Sequence, residues 1–322
     1  MKKIVVTGAA GFIGSHLTEI LIKSGSFDVL AIDSFTPAYD SKWCLERAKR
    51  IESNSGVTIK QLDLSTAPIA DMVDSFKDAF AVIHLAAWPG VRTSQINPDA
   101  YSKNNINAFC NVLEAIKISK PDLFLFASSS SIYGDLGVSG AVKEEQATGK
   151  NLRSYYAATK WANEILAKSH HAITAIPTVA LRFFTVYGEY GRPDMAYWTF
   201  AQDIIQGKEV QLYGETGGSR NFTYINDTVK ILLALLKVDH KGFEALNISA
   251  GEPSETIKLL NELSNSLDLS AKIKVIQRPD VDVEKTWADL KKIQSYVGTT
   301  TVTPLSEGIS RFSQWFLLNG AK

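Results

Sequence analysis

Eight residues near the N-terminus restrict the fold more than any other stretch. Thr7-Gly8-Ala9-Ala10-Gly11-Phe12-Ile13-Gly14 separates the β-branched run Ile4-Val5-Val6 from an apolar pattern of helical period over residues 13–23. Three glycines at this spacing between a strand and a helix have a mechanical reading. Gly8 permits the tight turn, Gly11 lets backbone N–H groups approach a pyrophosphate without a Cβ in the way, and Gly14 lets helix and strand pack closely. The helix N-terminus then offers partial positive charge to the phosphates, with Ala10, Phe12 and Ile13 the other loop positions expected against them. Asp33, at the end of the next apolar run, can accept hydrogen bonds from both ribose hydroxyls of an adenosine and would repel a 2′-phosphate. The expected cofactor is therefore NAD and not NADP. Asp63, after Val57-Thr58-Ile59, is placed to reach the adenine edge, a solvated turn aspartate being the other reading.

The loop opens a longer alternation. Apolar runs at 4–7, 29–32, 81–85, 123–127 and 178–183 alternate with helical patterns at 13–23, 105–118 and 155–170. That order predicts an α/β fold: a Rossmann-type doubly wound parallel sheet covered on both faces. A chain of 322 residues exceeds one ordinary core. Residues 1–180, with about 222–248, are expected to form the NAD-binding domain, and 181–221 with 249–322 a smaller α/β substrate lobe.

Charge and composition narrow the ligand. Lysines plus arginines number 34, as do aspartates plus glutamates, and no block of like charge gives a footprint for nucleic acid or an acidic membrane. A small molecule is the default. Cys44 and Cys110 lack the spacing of a redox or zinc pair, and the histidines His16, His84, His170, His171 and His240 form no metal-ligand pattern, so no metal is expected. Adjacent His170 and His171 read as a surface pair at a helix end. No apolar run approaches the roughly 20 residues that span a bilayer, and the N-terminal run ends at Gly8, as a strand and not a leader. These features predict a soluble, cytoplasmic protein.

Tyr156 and Lys160 lie four apart in a helical pattern and so share a face. A free tyrosine, with a pKa near ~10, is a poor base at neutral pH. The Lys160 ammonium and a nicotinamide cation are expected to favour the phenolate, a lowering of roughly 3 units costing about 4 kcal/mol. Tyr156 could then take the proton of a substrate hydroxyl as hydride leaves the same carbon, with the Ser129 hydroxyl holding that oxygen in line.

Gly8-x-x-Gly11-x-x-Gly14, the run Ser128-Ser129-Ser130-Ser131-Ile132-Tyr133-Gly134, and Tyr156-x-x-x-Lys160 together resemble the extended short-chain dehydrogenase/reductase superfamily. His84-Leu85-Ala86-Ala87 with Gly90-Val91-Arg92, Leu181 to Gly188 with Gly191-Arg192-Pro193-Asp194, Arg220 to Ile225, and Thr286-Trp287-Ala288-Asp289 resemble the UDP-glucuronate 4-epimerases over nearly the whole chain. The resemblance implies a tightly held NAD regenerated at each turnover, a UDP-sugar in the second lobe, and a homodimer formed by two helices of each subunit. It also implies Leu64, Leu85, Ala86, Ala87 and Asn105 around the cofactor. Ser128, Ser129, Ser130 and Thr185 become hydroxyl donors to a uronate carboxylate, Arg192 its rigid fork, Arg220 a diphosphate ligand, and Arg92 a residue near the nicotinamide end.

Related dehydratases and decarboxylases carry Asp-Glu or Glu where this chain has Ser130 and Ser131, so elimination and C5 proton transfer lack their catalyst. A 4-epimerase needs none, since hydride returns to the other face of the carbon it left. A 4-keto uronate is a β-keto acid that loses carbon dioxide unless its carboxylate is held still. Trp88-Pro89, Glu189-Tyr190 and Pro279-Asp280-Val281-Asp282 depart from the family pattern and are expected to surround the substrate cleft. The alternatives are a UDP-glucose or UDP-N-acetylhexosamine 4-epimerase, which a small Thr286 would admit, a net sugar-nucleotide oxidoreductase, and a nucleotide-sensing regulator without catalysis. Uronate epimers typically feed surface polysaccharides.

Overall fold

A computed structural model describes residues 1–36, 39–135, 140–299 and 302–320. The β-branched runs become parallel strands: β1 (Lys2–Thr7), β2 (Phe27–Asp33), β3 (Lys60–Gln61), β4 (Ala79–His84), β5 (Leu123–Ser129) and β6 (Thr178–Phe183). With the strand Phe243–Ile248 they form one seven-stranded sheet, in the spatial order Phe243–Ile248, β6, β5, β4, β1, β2, β3. Every pairing is parallel. Helices cover both faces, so every residue of β6 is buried, which is why Val179, Ala180, Leu181 and Phe183 do not alternate with exposed residues and why its one charge, Arg182, is paired with the buried Glu164. Helix α1 (Phe12–Lys23) follows the glycine loop, and α2 (Lys42–Ser55) follows β2. Strand order reverses between β1 and β4, and a crevice opens at their C-terminal ends.

Local expectations shift in three places. The third strand is Lys60–Gln61 and not Val57–Ile59: Ile59 packs into the core, and the ladder with Ile32 and Asp33 begins one residue later. The helix expected from Asn105 becomes regular only at Ala108, after a π-helical turn over Ser102–Asn107. His170 and His171 divide: His171 lies in the last turn of the helix, which ends at Thr174, as expected, whereas both His170 ring nitrogens are buried and face no solvent. Burial lowers the His170 pKa.

The second lobe is built from small ladders: Thr185–Tyr187 with Phe222–Tyr224, Glu209–Tyr213 with Lys272–Ile276, and Ser219–Arg220 with Ser254–Glu255. Helices Ala196–Ile205, Thr256–Leu267 and Leu305–Trp315 pack beside them. One buried apolar cluster runs from Val6 and Leu181 of the sheet through Tyr187 to Trp198, Leu260 and Phe312. The lobes therefore share a core, and the cleft between them has rigid walls. No helix among the described residues is long and apolar enough to cross a membrane.

Candidate active site

A cavity of about 1090 Å3 lies over the crevice, walled by both lobes. The glycine loop forms one end. Gly8 has φ +73°, and a Cβ there would come within 2.6 Å of the Ala86 nitrogen. A Cβ on Gly14 would fall 2.0 Å from the Gly8 carbonyl oxygen, and one on Gly11 at 2.9 Å from the same atom. The turn itself thus excludes side chains at all three positions. Gly11 caps α1 without any side-chain cap, which leaves the amides at the helix start, Phe12 and Ile13, facing the cavity. That is the donor set a dinucleotide pyrophosphate requires.

Ala10 does not join them. Its N–H donates to Asp33 Oδ2 at 2.8 Å, and it lies off the cavity wall. Asp33 Oδ1 accepts from the Phe35 N–H at 2.8 Å, and a carboxylate with about four acceptor sites keeps capacity for two ribose hydroxyls. Burial pushes its carboxyl up, against the two N–H donors that hold it down. Asp63, Leu64, Leu85, Ala86 and Ala87 also line this end, the Asp63 carboxylate being engaged by the Ser65 N–H and hydroxyl. Asn105 takes a structural part, as the position of the superfamily's structural active-site asparagine implies, and not a place against the cofactor. Fully buried off the cavity wall, it accepts from the Trp88 N–H at 2.7 Å and donates to the Trp88 carbonyl and the Thr159 hydroxyl. It holds the loop after β4, and the π-turn carrying it is the backbone adjustment that aims it there.

Tyr156, Lys160 and Ser129 meet in the middle of the cavity. Lys160 Nζ lies 5.9 Å from the Tyr156 ring centre and donates to the Ala127 carbonyl at 2.8 Å. Burial brings the Lys160 pKa down to about 7. The same burial raises Tyr156, contrary to the expected lowering by Lys160. A hydrogen bond from Ser129 and the positive charge of Arg192 are what hold the phenol down. A desolvated lysine that is half neutral at pH 7 is a weak counter-charge, which explains the difference.

Arg192 faces Tyr156 across the cavity but is not a free fork. Nε and Nη2 bond Asp194 side-on, leaving the Nη1–Nη2 edge for a second carboxylate. Thr185, Ser129 and Ser130 lie on the same wall. Ser128 does not contribute a donor there: its hydroxyl is given to the buried Glu164, which also takes a bidentate bond from Arg182. Arg92 is not grouped with Tyr156 and Lys160 at the expected nicotinamide end: it pairs with Asp282, lies over the Tyr213 ring and neighbours Arg220 at the far end. Arg220 donates to the carbonyls of Ser219, Val283 and Glu284. Burial and the neighbouring Arg278 and Arg92 bring Arg220 down to about 10. Three arginines against two carboxylates, Asp282 and Glu284, leave net positive charge that suits a diphosphate.

Arg278 escaped the sequence reading, although it directly precedes the Pro279–Asp282 segment noted there as unusual. Thr286, read above only through its size, and Ser131, read only as lacking a carboxylate, line the cavity with buried hydroxyl oxygens that have no protein partner. The departures divide. Trp88-Pro89 and Val281-Asp282 do border the cavity, whereas Glu189-Tyr190 lies in a separate surface groove beside His16, Arg50 and Trp315. Glu189 there accepts from the Tyr224 hydroxyl.

Comparison with known proteins agrees with this geometry. Residues 4–249 match the model of the NAD dependent epimerase/dehydratase family. An uncharacterized protein of Methanocaldococcus jannaschii is 37% identical, over 99% of this chain and 97% of its own. UDP-glucuronate 4-epimerase 3 of Arabidopsis thaliana is 35% identical over 99% of this chain and 78% of its own. The crystal structure of UDP-glucuronic acid 4-epimerase from Bacillus cereus, in complex with UDP-glucuronic acid and NAD, superposes with a TM-score of 0.91 at 33% identity, covering 98% of this chain and 99% of that one. A glycine loop, a Tyr-Lys pair and a parallel sheet in this spatial order, matched along three quarters of the sequence, leave one assignment: the chain belongs to the NAD dependent epimerase/dehydratase family.

Proposed function

We propose that the protein converts UDP-glucuronate to UDP-galacturonate through a transient 4-keto sugar. The observation that carries this reading is Arg192: a guanidinium with an open edge, close enough to Tyr156 to act on its ionisation, where a sugar oxidised at C4 would place its C5 carboxylate. The similarity to UDP-glucuronate 4-epimerases over the full chain supports it.

The first helical amides of α1, Asp33 and Lys160 would hold NAD, which supplies a hydride acceptor and donor at C4. Tyr156 takes the C4 hydroxyl proton and later returns it. Ser129 holds that oxygen in line and stabilises the phenolate. Arg192, with Thr185 and Ser130, keeps the carboxylate in the ketone plane, so carbon dioxide is retained. Arg92, Arg220 and Arg278 hold the diphosphate. Because Ser130 and Ser131 offer no carboxylate, the keto sugar can only turn over and be reduced on its other face.

The dinucleotide lobe takes residues 1–180 and about 222–248, a division supported by Phe243–Ile248 joining the sheet. A second copy of the chain covers Ile118, Tyr155, Ile165 and Ile173, apolar side chains half or more exposed on two helices. The two free cysteines suit the cytoplasm.

Purified protein given UDP-glucuronate without added NAD is expected to yield UDP-galacturonate, with no accumulation of reduced nucleotide at the NADH absorbance band. Conversion of UDP-glucose or UDP-N-acetylhexosamine alone refutes the uronate reading. Stoichiometric NADH formation would make the protein a net oxidoreductase instead.

A further inference from the structure

Arg47 belongs to none of the motifs above. It sits on α2, is 0% exposed, and among the described residues has no carboxylate within ion-pair distance. Its guanidinium is satisfied by neutral oxygens. Nε donates to the Tyr190 carbonyl at 2.7 Å and Nη2 to the Gly191 carbonyl at 2.6 Å. Nη1 donates to the Tyr39 hydroxyl at 2.8 Å and to the Ala10 carbonyl at 3.4 Å. The Asp33 carboxylate feels its charge, but a buried cation with no direct ion pair is still costly to keep, so the groups it grips indicate its purpose.

They belong to segments that lead into the cavity wall from both lobes. Ala10 belongs to the glycine loop, and Tyr39 lines the cavity wall. Tyr190 and Gly191 form the turn immediately before Arg192, and that turn is strained. Tyr190 has φ +53°, a left-handed conformation that a Cβ disfavours. Gly191 has no room for a side chain, since a Cβ would lie 1.7 Å from the Tyr197 hydroxyl. The Tyr190 ring is wedged between the Arg50 guanidinium, 4.0 Å from its centre, and the Trp315 ring at 4.7 Å. Such strain persists only where surrounding contacts over-determine it, and two of those contacts come from Arg47.

We propose that Arg47 is the positioning residue for Arg192: it latches the left-handed Tyr190–Gly191 turn to the glycine loop and so fixes where Arg192 meets the substrate carboxylate. The inference rests on the uronate reading above. Arg47 touches neither the substrate nor the reacting atoms and acts through the turn alone. One guanidinium thereby makes the cofactor loop and the carboxylate-holding arginine a single rigid unit, which accounts for a buried charge on a helix that also packs Trp43 against Trp198 and Trp315.

The test is calorimetric titration of the NAD-containing protein with UDP-glucuronate and with UDP-glucose. Wild type is measured first, and equal affinity for the two sugars there refutes the uronate reading itself. Arg47→Lys keeps the charge and loses the fork. It is expected to weaken UDP-glucuronate about tenfold, to leave UDP-glucose within about twofold, and to have no further effect in an Arg192→Ala background. Equal weakening of both sugars, or losses that add in the double variant, overturns the latch. Should Arg47→Lys fail to fold, Tyr190→Gly and Tyr190→Ala decide: both lose the ring, but only glycine accepts the left-handed backbone without penalty. The alanine variant is then expected to bind UDP-glucuronate about fivefold more weakly than the glycine variant; equal affinities overturn the proposal.

Discussion

Lys160 should make the nucleotide-free protein less stable at neutral pH than a variant without it. Burial takes its pKa from 10.5 to about 7, and at about 1.36 kcal/mol per pH unit the buried ammonium costs about 5 kcal/mol at or below pH 7. Between pH 7 and 10.5 the unfolded chain binds this proton and the folded chain does not, so the cost fades as pH rises, by about 1.4 kcal/mol per pH unit. Lys160→Met removes the charge, keeps a long unbranched side chain in the same space, and forfeits the bond to the Ala127 carbonyl, worth about 1 kcal/mol. The variant is expected to be about 4 kcal/mol more stable than wild type near pH 6, the advantage shrinking by about 2–3 kcal/mol by pH 9. Urea denaturation of both proteins, freed of nucleotide, at pH 6, 7, 8 and 9 measures this directly, because every other titrating group cancels in the difference. A difference that does not change with pH would refute the burial argument. A variant that gains stability while losing activity would show that this lysine is kept for chemistry.

Tyr156→Phe is expected to cut turnover by about 1,000-fold while UDP-glucuronate affinity stays within about threefold, because the proton acceptor is lost and the cavity is not; rapid-quench and calorimetric measurements separate the two. Arg192→Ala removes a positive charge that holds the Tyr156 phenol down, so the rising limb of the kcat–pH profile should move to higher pH and a decarboxylated keto-pentose product should appear on chromatography. A profile that stays in place would disconnect Arg192 from the phenol. Gly14→Ala puts a Cβ 2.0 Å from the Gly8 carbonyl, and both atoms belong to backbone, so helix and loop must part; NAD content per chain after purification should fall below about one half of wild type. Glu164→Gln leaves Arg182 buried without its counter-charge, and thermal or denaturant unfolding should report a loss of about 3–5 kcal/mol.

Much of the site was legible because its chemistry is local in sequence. The glycine spacing is imposed by one turn and one helix start. Tyr156 and Lys160 share a helix face through a fixed four-residue offset. Asp33 ends a strand whose neighbours are fixed by the sheet. What could not be read were the uses to which side chains are put across long separations. The Ser128 hydroxyl looks available in the serine run, but Glu164 captures it from 36 residues away. Asn105 looks like a cofactor residue, yet its amide is spent on the Trp88 backbone. Arg278 and the Thr286 hydroxyl reach the cavity because the second lobe folds back over the crevice, and no periodicity records that.

The sequence by itself determined the parallel sheet, the dinucleotide loop and the placing of Tyr156 and Lys160 on one helix face, since each follows from propensity, spacing and offset within one or two adjacent elements. Tertiary structure alone decided the electrostatics. Burial turned Lys160 into a weak base and raised Tyr156, giving the task of steadying the phenolate to Ser129 and Arg192. It also set a buried arginine of α2 behind the turn that carries Arg192, 145 residues further along the chain. Desolvation and long-range contact depend on what the whole fold excludes from water, and no short stretch of sequence contains that information.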